Sequence, residues 1–406
     1  MCDLQPDANQ EKVQGMKLRL LACLLAISVC GLPACTSRST TPATIINTAV
    51  LYLASQGSSS IQVYSATVSN GVISPSGNPL PTGSMPFAIA ITPSLNTLFI
   101  DNTASDSISA YAINSDGSLT AASGTAATGT MPMGMAIDPA GKFLFVANQG
   151  SSNISVFSIN GTTLTEVSGS PFTTIPAGTT VPTLPTAVAV SGTGNFLYVA
   201  NNFTGTVSAY SIAGSGALKP LGPSPYAVGT APSGLGIPPS GGFLYVANTG
   251  SNNVSAFAIC DKVTTSCANP NSPDGTLTPV AGSPFSAGIG PVAIAADPAF
   301  DFLYVLDKQS SEVSEYSYAP GTGVLSPLST PSVSTGLTPF SLVVISGTTG
   351  TNVGNTLTNP TDFVYVANNG ASTVSAFALS TTSGVLTPLG SATTVSGGNP
   401  SAVAAN

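Results

Sequence analysis

Two carboxylates interrupt a recurring phrase of the sequence at positions where the other copies carry uncharged residues. The phrase reads FLYVAN or a close variant, and its seven copies begin at Val50, Thr97, Phe143, Phe196, Phe243, Phe302 and Phe363. Asp101 replaces the usual Ala of this phrase, while Asp307 replaces the usual final Asn and is followed by Lys308. Carboxylate and amine side chains can transfer protons in catalysis. Asp101 and Asp307 are therefore the candidate catalytic residues.

The residues that end the seven phrases form a second candidate group, the strand-end ring. Its members are Ser55, Asn102, Asn148, Asn201, Asn248, Asp307 and Asn368. One interpretation is a polar rim that presents ligand-binding groups around the mouth of a channel. The other is structural, because Asn and Asp tolerate tight turns and bond to their own backbone. The sequence leaves both interpretations open.

The charge composition excludes several classes of function. The chain has a formal net charge of −8, and 6% of its 406 residues are charged, against about 25% in a typical soluble domain. Arg occurs only at Arg19 and Arg38, and His and Trp are absent. Nucleic-acid binding needs a basic surface, so we expect none. Metal sites need several converging ligands, and we expect neither a metal nor another cofactor.

Three further segments accompany most copies of the phrase and complete a four-stranded repeat. An alternating segment comes next, as in SISAYAI from Ser107, and then a segment with Pro, as in GVLTPLG from Gly384. The last is apolar throughout and begins at a Pro, as in PVAIAAD from Pro291. These patterns are typical of a half-buried strand, an edge strand and an innermost strand. The seven repeats predict an all-β fold, a seven-bladed β-propeller with four antiparallel strands per blade over residues 50–406.

The repeats begin and end at different points of the blade. The first copy begins at Val50 with the second strand of a blade, whereas residues 400–405 read as an innermost strand. We therefore expect the C-terminal strand to complete the first blade. Such closure removes an open sheet edge that would otherwise aggregate.

The N-terminal segment is predicted to direct export. Residues 1–15 are polar and look like a non-native upstream extension, whereas residues 16–34 combine a basic start with a short apolar run, as signal peptides do. The run ends in Leu-Pro-Ala-Cys, which resembles the lipobox of bacterial lipoproteins. That resemblance implies a lipid on Cys35, a membrane contact through it and outer-membrane sorting. Residues 35–49 are then a Ser/Thr-rich tether.

Two cysteines fall within the predicted propeller. Cys260 and Cys267 are separated by six residues and lie in a long insertion. A lone pair in an exported protein predicts a disulfide that closes a small loop. Two cysteines without His are too few for a zinc site.

The repeat over residues 50–406 resembles that of the YVTN-repeat and lactonase families of seven-bladed propellers. The resemblance implies hydrolysis of a lactone, as in 6-phosphogluconolactonases. However, hydrolysis needs a group that activates water and one that stabilises the oxyanion. The predicted innermost strands carry neither carboxylate nor imidazole, and the propeller has no Arg.

The composition therefore favours a non-catalytic module of the cell envelope. Such a module would act as a scaffold or bind an envelope protein or a glycan, and its closed ring gives no reason to expect more than a monomer. A lactonase-like hydrolase that acts on a small lactone is the alternative, with Asp101 and Asp307 as its candidate residues.

Overall fold

The computed structural model describes residues 48–67, 70–261, 274–345, 362–395 and 397–405. Every helix or strand assigned in these ranges is a β-strand. No helix in the same ranges is long and apolar enough to cross a membrane. The upstream extension, the signal peptide, Cys35 and residues 36–47 of the tether lie outside the described residues and stay predictions.

The strands group into seven antiparallel sheets, one for each blade. Blade 1 begins with β1 (Thr48–Ser55), β2 (Ser60–Thr67) and β3 (Ile73–Pro81), and blade 2 contains β4 (Pro86–Ile91), β5 (Thr97–Asn102), β6 (Ser107–Ile113) and β7 (Leu119–Ala127). Blade 3 contains β8 (Pro132–Ile137), β9 (Phe143–Asn148), β10 (Asn153–Asn160), β11 (Thr163–Glu166) and β12 (Phe172–Thr173). Blade 4 contains β13 (Pro185–Val190), β14 (Phe196–Asn201), β15 (Thr206–Ile212), β16 (Leu218–Pro220) and β17 (Tyr226–Ala227).

The remaining blades repeat this order. Blade 5 contains β18 (Pro232–Gly236), β19 (Phe243–Asn248), β20 (Asn253–Ile259), β21 (Leu277–Pro279) and β22 (Phe285–Ser286), and blade 6 contains β23 (Pro291–Ala296), β24 (Phe302–Asp307), β25 (Glu312–Tyr318) and β26 (Leu325–Ser334). Blade 7 contains β27 (Pro339–Ile345), β28 (Asp362–Asn368), β29 (Thr373–Leu379), β30 (Leu386–Pro388) and β31 (Thr393–Thr394), and the chain ends with β32 (Pro400–Ala405). Four positions run outward across each sheet, as in β4-β5-β6-β7.

The last strand closes the first blade. β32 pairs antiparallel with β1, with Leu51 opposite Ala405 and Leu53 opposite Val403, and the sheet order is β3-β2-β1-β32. The predicted fold, strand count per blade and closure are confirmed. β1 begins at Thr48, so its first two residues belong to the segment assigned to the tether.

Buried apolar side chains pack between neighbouring blades. The cluster between blades 4 and 5, for example, joins Tyr198 and Val246 from the two second strands with Phe257 from the third strand of blade 5. Tyrosine hydroxyls add polar links across the same interfaces. Tyr365 of blade 7 donates to the carbonyl of Gly71 in blade 1 at 3.0 Å, so this bond supports the closure of the ring.

The outermost position differs among blades. In blades 3, 4, 5 and 7 it is filled by two short strands that pair with the same third strand, as β16 and β17 do with β15. The Gly-Ser-Pro-Phe segments that end at Phe172 and Phe285 separate such pieces. Phe172 packs against the core between blades 3 and 4. Cys260 is buried after β20, but Cys267 lies outside the described residues, so the disulfide stays a prediction.

Candidate functional site

A cavity of about 580 Å³, the mouth pocket, lies between the innermost strands of blades 2–7. Its lining comes from the first residues of these strands and from the loops that follow the second strands. The starts of the innermost strands and the loops after the second strands lie at the same end of the channel. The reason is that each innermost strand begins opposite the residue that ends a second strand, as Pro232 does opposite Asn248. The volume falls in the range of small-molecule sites.

The strand-end ring lies inside the blades and does not line this pocket. Asn102, Asn148, Asn201, Asn248, Asp307 and Asn368 are 0% exposed, and Ser55 is 1% exposed. Each Asn amide turns outward to the third strand of its own blade. Asn248 Nδ2, for example, donates to Asn253 Oδ1 at 2.8 Å and to Ser255 Oγ at 2.9 Å. This placement favours the structural interpretation of the ring, since it ties adjacent strands together away from solvent.

The residues that directly follow the strand-end ring form a different set, the mouth ring. Its members are Gln56, Thr103, Gln149, Asn202, Thr249, Lys308 and Asn369. In four blades the side chain donates to the carbonyl of the Pro that begins the next blade's innermost strand, as Thr103 does to Pro132, Asn202 to Pro232, Thr249 to Pro291 and Asn369 to Pro400. Four members line the pocket: Gln149, Asn202, Thr249 and Lys308.

Lys308 is the one titratable side chain among the residues that line the mouth pocket. Its Nζ lies 3.9 Å from the centroid of the Phe340 ring, a cation–π distance. Burial lowers the pKa of Lys308 from its ordinary value. A partly desolvated ammonium group is well suited to bind negative charge that develops on a substrate oxygen.

Two aromatic side chains close one side of the mouth. Phe87 of blade 2 and Phe340 of blade 7 meet edge to face, with ring centroids 5.5 Å apart. Blade 1 lies between these blades in the ring and carries the small Ser401 at the same strand position, directly after the Pro. The pocket therefore opens towards blades 3–6, with Lys308 beside the aromatic wall.

Asp101 supports this wall from inside blade 2. Pro86 pairs with Asn102 and Ile89 with Ile100, so the ladder is irregular between these pairs, opposite Asp101. The Asp101 carboxylate accepts the Ala88 amide at 2.5 Å, and its Oδ2 has no hydrogen-bond partner. Burial raises the pKa of Asp101 to about 8, against the lowering effect of backbone hydrogen bonds. Asp101 therefore holds a proton at neutral pH and is 0% exposed.

Asp307 takes the place of an Asn in the strand-end ring. Ser314 Oγ donates to its Oδ2 at 2.6 Å, while Oδ1 is buried without a partner. Burial, the larger effect, and the neighbouring Glu312 raise the pKa of Asp307 to about 7, although the Ser314 bond opposes them. Asp101 and Asp307 stand in blades 2 and 6, and neither lines the mouth pocket, so the structure does not bring the two together at one site.

The mouth ring and the aromatic wall were not predicted from the sequence, in which Lys308 stands out only as a neighbour of Asp307. Strand alternation was the available signal, because side chains one residue apart point in opposite directions. Among the described residues, no three His, Cys, Asp or Glu side chains form a group that could hold a metal ion.

Comparisons with known proteins agree with this architecture. A family model described as "Lactonase, 7-bladed beta-propeller" matches residues 47–170, 164–266 and 260–405. None of the curated proteins matches by sequence. The structure resembles a proposed 6-phosphogluconolactonase of Bacteroides fragilis, with a TM-score of 0.72, 18% identity and coverage of 90% of this chain and 99% of that one.

Two further solved structures share the fold. The periplasmic gluconolactonase of Pseudomonas aeruginosa has a TM-score of 0.69 and 21% identity, covering 88% of this chain and 98% of its own. A protein of Lactobacillus plantarum has a TM-score of 0.70 and 19% identity, covering 88% and 99%. At such identities the structures show a common fold alone, but the family match spans nearly the whole propeller. This chain belongs to the lactonase family of seven-bladed β-propellers.

Proposed function

We propose that this protein hydrolyses a small lactone in the mouth pocket, with Lys308 binding the carbonyl oxygen. Water adds to the carbonyl carbon, the ring C–O bond breaks, and the proton from water passes to the ring oxygen to give a hydroxy acid. The observation that carries the proposal is the position of Lys308, whose ammonium group lines the pocket 3.9 Å from the Phe340 ring centroid. A cation fixed there stabilises the oxyanion that forms when water adds.

Family membership supports this function over the non-catalytic module that the composition favoured. The solved structures that share the fold include a gluconolactonase and a proposed 6-phosphogluconolactonase. However, Lys308 is the single cationic side chain in the lining of the described pocket. Phosphate recognition normally uses several charge-assisted bonds. The proposed substrate is therefore a lactone without a phosphate group.

The test is a hydrolysis assay that follows acid release from neutral and phosphorylated lactones. We expect turnover of neutral lactones above the buffer rate and a fall in kcat/KM of about 100-fold in Lys308→Met, the size typical of a lost oxyanion donor. Lys142→Met is the matched control, because Lys142 is exposed in the turn between β8 and β9. Absence of turnover for every lactone, or full activity of Lys308→Met, would contradict the proposal.

The proposal for the cellular location rests on the sequence alone. We propose export and attachment to the outer membrane through a lipid on Cys35, supported by the lipobox-like Leu-Pro-Ala-Cys segment. Labelling of cells with a radioactive fatty acid tests this. The label is expected on the wild-type protein and not on Cys35→Ser, and an unlabelled wild-type protein would exclude lipidation.

A further inference from the structure

The deeper wall of the mouth pocket is made of aliphatic side chains from four successive blades. Met135, Val188, Leu235 and Ile294 occupy the same position, three residues after the first Pro of their innermost strands. The residue directly before each of them is small, with Gly134 and Gly234 in blades 3 and 5 and Ala in blades 4 and 6. A Cβ on Gly234 would lie 2.5 Å from the carbonyl oxygen of Val292, so the close approach of innermost strands requires glycine there.

Much of the polar lining is already engaged in bonds within the protein. Asn202 and Thr186 donate to the Pro232 carbonyl, and Thr249 donates to Pro291 while bonding Ser233. A polyhydroxylated ligand would bring several hydroxyl groups into this space, and each buried hydroxyl without a partner costs free energy. Other polar side chains of the lining, among them Gln149, Gln309 and Lys308, follow the second strands at the mouth, above an apolar wall.

The loops around the mouth carry exposed apolar side chains. Leu337 is 67% exposed and Phe203 is 62% exposed, and Ile289, Met131 and Met85 are also exposed. Four of these residues lie one or two positions before the Pro that begins an innermost strand, and Phe203 directly follows Asn202 of the mouth ring. A ligand with an apolar part therefore meets apolar surface both at the entrance and at the deeper wall.

We propose that the substrate is a lactone that carries an aliphatic chain, and not a polyhydroxylated sugar lactone. This inference rests on the proposed hydrolytic function of the mouth pocket. The lactone ring lies at Lys308, and the chain packs against Val188, Leu235 and Ile294. Each methylene buried against this wall contributes about 0.8 kcal/mol, or roughly fourfold in affinity or kcat/KM.

The test compares γ-lactones that carry ethyl, butyl and hexyl chains with gluconolactone. We expect kcat/KM to rise about two- to fourfold with each methylene until the wall is covered, and gluconolactone to be the poorest substrate. Leu235→Asn should flatten the dependence on chain length. Ile89→Asn is the matched control, because Ile89 has the same strand position in blade 2 and is half-buried but does not line the pocket.

Binding of the corresponding alkyl lactams, measured by calorimetry on folded samples, separates failure of the inference from failure of the function. Lactam affinity that grows with chain length, without turnover of any lactone, would support the apolar ligand and contradict hydrolysis. A higher kcat/KM for gluconolactone than for the alkyl lactones, or a kcat/KM independent of chain length, would overturn the inference while hydrolysis stands. Retained chain dependence in both Leu235→Asn and Ile294→Asn would also overturn it.

Discussion

Asn248 and Thr249 are neighbours in the chain but belong to different parts of the molecule. Asn248 is 0% exposed and bonds only within blade 5, whereas Thr249 lines the mouth pocket and reaches the innermost strand of blade 6. In blade 6, Asp307 is likewise 0% exposed, whereas the next residue, Lys308, lines the mouth pocket. The Asn residues of the strand-end ring thus tie strands of their own blades together, whereas four residues of the mouth ring, one position later, line the mouth pocket. The residues that recur in most blades form the scaffold. Lys308, Phe87 and Phe340 depart from the repeat and line the pocket.

The largest expected effect comes from restoring the ring residue in blade 6. In Asp307→Asn the new amide can donate to Ser314 and Glu312, as Asn248 does to Ser255 and Asn253. The pKa of Asp307 is about 7 when folded and about 3.9 when unfolded, so the folded state retains a proton that the unfolded state releases between these values. Wild-type stability therefore falls as pH rises through this window. We expect Asp307→Asn to be more stable than wild type by about 2–4 kcal/mol at pH 8.

Urea unfolding at pH 4 and pH 8 checks this prediction. The gain should shrink to less than about 1 kcal/mol at the lower pH, where Asp307 is protonated in the folded state and about half protonated in the unfolded chain. An equal gain at both pH values would show that the titration of Asp307 is not its cause. A loss of stability at pH 8 would contradict the role of Asp307 as a replaced Asn.

Removing a ring amide should be the next largest effect. Asn248→Ala leaves Asn253 and Ser255 without their shared donor, and we expect the free energy of unfolding to fall by about 2 kcal/mol. Thr249→Ala, one residue away, should cost less, because Thr249 is partly exposed. Denaturant unfolding measures both. A larger loss in Thr249→Ala than in Asn248→Ala would reverse the proposed division between the two rings.

The smallest effect is expected at Asp101. Asp101→Ala deprives the Ala88 amide of its acceptor and should cost about 1–2 kcal/mol at pH 6. The pKa of Asp101 is about 8 when folded and about 3.9 when unfolded, so wild-type stability falls as pH rises between these values. The cost of the substitution should therefore shrink from pH 6 up to about pH 8 and change little beyond it. Thermal unfolding at pH 6 and pH 9 tests this, with Asp101→Asn as the control that keeps an acceptor. A cost that grows with pH would contradict the assignment.

The fold could be predicted because every copy of the FLYVAN phrase carries the same burial pattern. The early start at Val50 and the apolar end at residues 400–405 even fixed which strand closes the ring. The site could not be predicted in the same way. Alternation indicates that the neighbouring polar residues Asn148 and Gln149 point in opposite directions. The structure is needed to show that Asn148 turns into its own blade while Gln149 lines the pocket. The contact between Phe87 and Phe340 depends on closure of the ring, since blade 1 separates them.

The most direct test of the account compares Lys308→Met with Asn248→Ala in one experiment. Lactone kcat/KM is measured for both at a temperature where both are folded, together with their unfolding temperatures. The account predicts that Lys308→Met loses about 100-fold in kcat/KM at an unchanged unfolding temperature, while Asn248→Ala unfolds earlier and retains near wild-type kcat/KM. Full activity of Lys308→Met, with activity lost from folded Asn248→Ala, would contradict it and return the site to the strand-end ring.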